Sequence, residues 1–267
     1  MDINNPEKGI AEKIIEASAD TILESLKPSM IESGKTLNLL PRTINAALAP
    51  LQKWLLYREY SVKEVEVLLE HKLKNIIPEK IVTPELYVAI PILMSISYCM
   101  DRKELREMYA SILAKSMNID TKHLVHPAHT EIIKQLSPLD ANLLNLFAAF
   151  TSLPIAKYCL HKPNGNKTTL YTNVFLEYPD IKDIDQIAAS IDNLNRLGLL
   201  YISYNSALSD LTSYSKFYEH EVYKNLQKSV GKPPYQEFES VDVANGVIKT
   251  TPVGRNFIKV CIHPFDA

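Results

Sequence analysis

The sequence predicts a mainly α-helical fold in two parts, an N-terminal helical bundle and a C-terminal α+β domain. The 267 residues suffice for two domains of ordinary size. Only 7 residues are glycine, which disfavours Gly-rich turn architectures, and apolar residues recur at intervals of three and four along most of the chain. Segments typical of strands occur only in the second half. We therefore place the bundle at residues 1–136 and the second domain at 137–267.

The first half is predicted to be a series of helices delimited by prolines. A helix through residues 15–26 ends before Pro28, and a capping box of Ser61 and Glu64 begins a second that ends before Pro78. The positions expected to face a core in these two helices are Ile15, Ala19, Ile22, Leu26, Val65, Leu69, Leu73 and Ile76. Apolar stripes of this kind need partner helices, so the sequence predicts a bundle.

An uncharged run from Leu86 to Met100 is predicted to be a buried central helix. Thr83 supplies its N-cap and Pro84 its first turn, and Pro91 should kink it because proline removes a backbone donor. The run is too short to cross a bilayer, which takes about 20 apolar residues. The helix expected to begin at Asp101 should point Leu105, Met108 and Ile112 inward.

The second half begins with two further helices. Ser137 is expected to cap the first, with Pro138 at the first helical position and Asp140 at the third. After a polar loop, a second helix is expected at about residues 183–197. Gly198 follows it at the position where helices commonly end in a left-handed residue.

Two strands and a last helix complete the predicted domain. Residues 199–204 alternate as a strand, residues 247–250 offer a return strand, and Thr251 caps a final helix. The order helix, helix, strand, strand is typical of a winged helix. Residues 205–246 form an insert far longer than an ordinary hairpin loop, either a helix that packs on the sheet or an appendage that binds a partner.

The charge of this domain is unusual for a winged helix that binds DNA. Such a domain surrounds a groove-bound helix with lysine and arginine, whereas the candidate helix carries Asp185 and Asp192 against Arg196. Net charge is −2, so the composition disfavours nucleic acid as a partner. The residues predicted for a nucleic-acid or partner surface are Lys182, Asn193, Asn195, Arg196, Lys216 and Tyr218.

No metal, cofactor or catalytic site is predicted. His123, His126 and His129 recur every three residues, but Pro127 disfavours a continuous helix and only Glu131 is near enough to complete a ligand set. The 3 cysteines lie far apart in the sequence, which predicts reduced thiols in the cytoplasm. Glycine-rich phosphate loops and nucleophile motifs do not occur in the sequence, which favours a non-enzymatic function.

Two stretches resemble the Abi-alpha family of bacterial proteins, whose biochemical activity is unknown. They are residues 83–93 leading into 101–117, and His126-Pro-Ala-His129 leading into residues 132–138. The resemblance is best over residues 39–150, and in the tail residues 251–258 are similar to a winged-helix ending. It supplies no catalytic motif. What it implies is a link to phage abortive infection, in which an infected cell stops growing before virus is released.

The sequence and the resemblance together predict a cytoplasmic sensor or interaction component of phage defence. It would act by binding a protein partner or its own copy, with no membrane contact and no cofactor. Two alternatives stay open. A DNA-binding regulator requires folding to gather into one patch the cations Lys157, Lys162, Lys167, Lys182 and Arg196. A toxin acting on nucleic acid or nucleotides requires a polar pocket around His126 and His129.

Overall fold

The computed structural model describes residues 42–47, 62–96, 99 and 101–263. These fall into two compact units that divide between Thr130 and Glu131. The boundary that the sequence predicts, after residue 136, stays a prediction. The helix predicted at residues 15–26 and the predicted N-cap Ser61 lie outside the described residues.

The described part of the first unit is helical. Its main helices are α1 (Val62–Leu73), α2 (Leu86–Ile96) and α3 (Lys103–Ser116), and both α1 and α2 pack against α3. Six of the predicted inward positions are confirmed as buried, namely Val65, Leu69, Leu73, Leu105, Met108 and Ile112. The prediction for Ile76 is wrong, because α1 ends at Leu73 and Ile76 is only half-buried. Helix α3 begins at Lys103, two residues after the predicted Asp101, and the side chain of its N-cap residue Arg102 makes no capping hydrogen bond.

Helix α2 begins later than the sequence predicts. It is described from Leu86 to Ile96, so Thr83 does not cap it. Pro91 lies inside it as predicted, and the Ser95 hydroxyl donates a hydrogen bond to the Pro91 carbonyl at 2.7 Å. Among the described residues, no helix combines the length and apolar character that crossing a bilayer requires.

The second unit mixes helices with a four-stranded sheet. In chain order its elements are α4 (Ala128–Ile133, which crosses the division), α5 (Pro138–Ala149), β1 (Ser152–His161), β2 (Lys167–Val174), α6 (Ile184–Arg196), β3 (Leu200–Ser203), a 3₁₀ helix (Leu211–Tyr214), α7 (Ser215–Glu219), α8 (Glu221–Ser229), β4 (Ser240–Thr250) and α9 (Pro252–Cys261). The strands are all antiparallel, in the order β2-β1-β4-β3.

This sheet corrects the predicted fold class. The fold is mixed α+β and not mainly α, because the second unit contains a four-stranded antiparallel sheet. The structure does not support the predicted two-stranded wing, because β3 and β4 belong to this larger sheet with β1 and β2. Strand β1 escaped prediction because it is buried on both faces, so its sequence lacks the apolar–polar alternation of a half-exposed strand. Strand β4 begins at Ser240, so the predicted return strand, residues 247–250, is only its end.

The insert between β3 and β4 is shorter than predicted, spanning residues 204–239, and it covers one face of the sheet. Phe217 and Leu226 of its helices are buried against Ala156 and Tyr158 of β1. The Tyr158 hydroxyl donates to the carbonyl of Phe217 at 2.9 Å. The insert is therefore part of the packed domain.

The other face of the sheet is buried as well. Ile155 of β1 and Ile248 of β4 point to that face and are fully buried. Helix α6 packs against β2 and β3, helix α9 packs against β4, and α5 packs against both helices. The predicted starts of α5 and α9 are confirmed, with Ser137 and Thr251 as N-caps.

A buried carboxylate links helices α5 and α6. Asp140 is 3% exposed and accepts hydrogen bonds from the Ser137 backbone N–H at 2.7 Å, from the Asn193 amide at 3.0 Å, and from the Ser190 hydroxyl. The first of these bonds completes the capping box at the start of α5. The other two come from α6, so one side chain both caps α5 and attaches it to α6.

Replacing Asp140 should therefore destabilise the whole unit. Asp140→Ala removes the acceptor of the Ser137 backbone N–H, of the Asn193 amide and of the buried Ser190 hydroxyl, and we expect the free energy of unfolding to fall by about 3 kcal/mol. Urea unfolding measures the loss. The exposed Asp180→Ala serves as the control and should change the midpoint little. Equal midpoints for the two variants would contradict this account of the link.

Candidate functional site

The polar residues predicted at the end of α6 bind within their own unit. The Asn193 amide donates to the Gln135 carbonyl at 2.9 Å as well as to Asp140. The Arg196 guanidinium donates to Asn193 Oδ1 at 2.7 Å and to Gln135 Oε1 at 3.1 Å. These side chains hold α6 to the start of α5. Presenting them to the edges of nucleic-acid bases would break those bonds.

Of the other predicted surface residues, only Asn195 lies at that helix end, where it is exposed. Lys182 is exposed at the opposite end of α6, just before the N-cap Asp183, and α6 is about 20 Å long. In the insert, Lys216 forms an ion pair with Glu177. Tyr218 is exposed, and its ring lies edge-on to that of Tyr223, with centroids 5.4 Å apart. The six residues are not brought together into one surface.

Several cations that the DNA-binding alternative requires are engaged within the unit. Lys162 pairs with Glu237 at 2.8 Å. The Lys157 ammonium lies 3.9 Å from the centroid of the Tyr204 ring, a cation–π contact. Arg196 is held by Asn193 and Gln135 as described. Three of the five side chains in the expected patch thus have partners of their own.

His126 and His129 have capping and packing roles. Nδ1 of His126 accepts the Ala128 backbone N–H at 3.1 Å, at the start of α4. Nδ1 of His129 accepts the His126 backbone N–H at 3.3 Å, and the His129 side chain is buried. Burial, and then the neighbouring His126, lower the pKa of His129 to about 4. No group of side chains in the described ranges is arranged to hold a metal ion.

Sequence reasoning missed a polar contact that joins the ends of the two edge strands, β3 and β2. Tyr204 follows β3 at one edge of the sheet, and its ring passes over Gly246 of β4, where a Cβ would lie 2.6 Å from Tyr204 Cδ1. Its hydroxyl accepts the Asn173 backbone N–H at 3.1 Å and donates to Asn173 Oδ1 at 2.7 Å. Burial is the main cause that raises the pKa of Tyr204, so the hydroxyl stays protonated and can donate. The sequence feature that could have indicated this contact is Gly246, because a glycine inside a strand often marks a close approach of another group.

An irregular β2 brings Asn173 to this contact. The pairing with β1 twice gives β2 an extra residue, first between Thr169 and Tyr171 and again between Tyr171 and Val174. Asn173 adopts a left-handed backbone with φ of 53°, which asparagine tolerates better than most residues. Its amide also donates to Asp192 of α6. The bulges therefore connect β2 both to β3 and to α6.

Exposed apolar side chains occur on the chain segments that adjoin the end of β4. Tyr201 of β3 lies opposite Lys249, which on its other side lies opposite Ser152 of β1, and Tyr201 is 58% exposed. Phe150, just before β1, is 53% exposed, and Val253, at the start of α9, is 54% exposed. We call Phe150, Tyr201, Lys249 and Val253 the β4-end surface. It is the candidate functional site, because exposed aromatic and apolar side chains on adjoining segments are typical of interaction surfaces.

The β4-end surface comes from segments that carry no acidic residue. Neither aspartate nor glutamate occurs in residues 141–176, 193–209 or 243–263. Lys249 is exposed, and so is Arg255 in the second turn of α9. Neither has a carboxylate within ion-pair distance among the described residues. The site thus combines apolar contact area with unneutralised positive charge.

The hydrogen bonds between Tyr204 and Asn173 can be tested by removing one oxygen. Tyr204→Phe keeps the ring over Gly246 but leaves a buried N–H of Asn173 without its acceptor, and we expect a loss of about 1–2 kcal/mol in the free energy of unfolding. Tyr201→Phe, at an exposed ring, should lose almost nothing. Urea unfolding of both variants measures the two losses. Similar midpoints for Tyr204→Phe and Tyr201→Phe would show that the hydrogen bonds to Asn173 do not stabilise the fold.

The buried His129 should make stability depend on pH. Its pKa of about 4 lies below the ordinary 6.5, so between these values the unfolded chain binds a proton that the folded chain does not. Stability should therefore fall as the pH drops from 6.5 to 4, by up to about 3 kcal/mol. His129→Gln should remove this part of the acid sensitivity, whereas His123→Gln, at an exposed position, should retain it. Unfolding midpoints across this range test the difference, and equal pH profiles would contradict the assignment.

Comparison with known proteins gives one family and one solved structure. No curated protein matches the chain. The structure of an uncharacterized protein from the marine bacterium Alcanivorax borkumensis SK2 is similar at 16% identity, covering 50% of this chain and 94% of that one, but its TM-score of 0.34 is too low to bear on fold or function. The abortive infection alpha family matches residues 57–261, most of the chain, and the chain therefore belongs to that family.

Proposed function

We propose that this protein acts in abortive infection in the cytoplasm, by binding a protein partner through the β4-end surface. Family membership over residues 57–261 supports the role in abortive infection. Partner binding is supported by one main observation, the exposed Tyr201, Phe150 and Val253 around the end of β4. Burying such rings releases water from apolar surface while the tyrosine hydroxyl stays hydrated or bonded.

Rigid surroundings suit this surface to binding. Tyr201 stands on a strand in regular register with β4, and Thr251, which caps α9, donates its backbone N–H to the Leu199 carbonyl at 3.0 Å. The Thr251 hydroxyl also donates to the Gly198 carbonyl at 2.6 Å. Side chains anchored on such a frame lose less entropy on binding than side chains on a mobile loop.

The test is phage challenge of bacteria that express the protein. Cells with the wild-type chain should release fewer phage per infected cell than cells without it. Tyr201→Glu and Val253→Glu place a charge in the proposed interface and should each lose about tenfold or more of this protection, as expected for an interface hot spot. Leu211→Glu is the matched control, since it charges an equally exposed apolar position in the insert.

Each result of this challenge bears on one part of the proposal. Undiminished phage release from cells with wild-type protein, across a broad panel of phages, would contradict a role in abortive infection. Full protection by Tyr201→Glu and Val253→Glu would show that the β4-end surface is not the partner surface. The purified variants should unfold in urea at midpoints near that of the wild type. Lost protection then reflects lost binding and not lost stability.

A further inference from the structure

We infer that the partner supplies an extended, acidic and apolar segment that adds a fifth strand to the sheet alongside β3. This inference rests on the proposed function, because it names the partner chemistry that the β4-end surface accepts. It depends on three observations, namely an open strand edge, the contrast between the two edges of the sheet, and the charge around the open edge.

The first observation is the free edge of β3. The strand order places β3 at the end of the sheet, paired only with β4. Within the described ranges, no backbone group pairs with the outer side of Leu200–Ser203. An unpaired row of N–H and C=O groups is a template for another strand, and several protein families bind extended peptides in this way.

The second observation is that the two edges differ. Strand β2, at the opposite edge, carries Lys167 and two bulges, which are features that prevent edge-to-edge pairing. Strand β3 pairs with β4 in unbroken register from Leu200 to Ser203 and contains neither a charge nor a proline. Among the described residues, the only feature that protects the edge of β3 is its short length, and a short edge accepts a short peptide.

The third observation is the charge beside this edge. Lys249 lies one strand inward from β3, so an added strand would run about 10 Å from it, within the combined reach of a lysine and a glutamate side chain. Arg255 is exposed nearby, where its guanidinium donates to the Thr250 carbonyl at 3.2 Å. With no acidic residue in residues 193–209 or 243–263, these cations favour a partner that brings carboxylates.

The arrangement favours a peptide over nucleic acid. A nucleic-acid surface needs many cations, because phosphate contacts dominate the affinity. Here the segments that adjoin the end of β4 carry only two exposed cations, Lys249 and Arg255, among the described residues 243–256. The open edge of β3 presents alternating backbone donors and acceptors, which match those of another strand. Along an added strand, alternate side chains would face Tyr201, so glutamates on that face could reach Lys249 while apolar residues cover the ring.

Fluorescence anisotropy with a synthetic peptide tests the inference on the purified full chain. The probe is a labelled eight-residue peptide that alternates glutamate with valine and tyrosine, and the matched probe replaces each glutamate with lysine. We expect the acidic peptide to bind at least about tenfold more tightly than the lysine peptide, and rising salt should weaken its binding. Methylating alternate backbone nitrogens of the acidic peptide should abolish binding when those N–H groups face β3.

Protein variants locate the site. Lys249→Glu and Arg255→Glu should each weaken binding of the acidic peptide by about fivefold or more. Lys228→Glu, an equal charge change on the exposed side of α8, should leave binding unchanged. Equal binding of the acidic and lysine peptides would overturn the inference. So would undiminished binding of every methylated peptide, or tighter binding of double-stranded DNA than of the acidic peptide at about 50 mM salt.

The two proposals fail in different assays. If Tyr201→Glu loses phage protection but neither peptide binds the wild-type chain, strand addition is wrong and the partner uses the surface in another way. If the acidic peptide binds as expected but Tyr201→Glu and Val253→Glu protect fully, the role of the surface in abortive infection is wrong.

Discussion

Strand β1 is buried on both faces, and the second unit is arranged around that constraint. Tyr158 points to the face that the insert covers, and Ile155 points to the opposite face. Each face must be shielded from water, so the insert is as necessary to this sheet as helices α6 and α9 are. Two buried tyrosines also bond to backbone, because Tyr158 donates to Phe217 and Tyr214 donates to the Gly246 carbonyl at 2.7 Å. Burying these hydroxyls therefore leaves no donor unsatisfied.

The helix ends could be predicted from nearby residues in the sequence, whereas the sheet could not. Ser137 and Thr251 could be recognised as N-caps, and Gly198 as the left-handed end of α6, because each depends on residues three or four positions away. Strand β1 depends on partners far along the chain. It is also an inner strand of the sheet that contains Pro154, and a proline normally argues against an inner strand. Its continuous burial also removed the alternation that identified β3.

The candidate site was less predictable than the fold. Asn193 and Arg196 are residue types that read nucleic acid, yet here their hydrogen bonds join α6 to Gln135 and Asp140. Neither helix periodicity nor charge counting can distinguish the two uses, because both need an exposed polar helix end. The β4-end surface depends on the register that places Tyr201 opposite Lys249, and Lys249 opposite Ser152. Such a row of residues from three strands exists only once the sheet has formed.

The pairing of β1 with β4 has a consequence for how the chain folds. Paired residues such as Ser152 and Lys249 are separated by about 80–100 positions, so the sheet has a high contact order and should form slowly. During synthesis the β1–β2 hairpin emerges long before β4, and until β4 arrives the inner edge of β1 has no strand beside it. That interval is when the nascent chain is most prone to aggregate, and it lasts until the insert and β4 have left the ribosome.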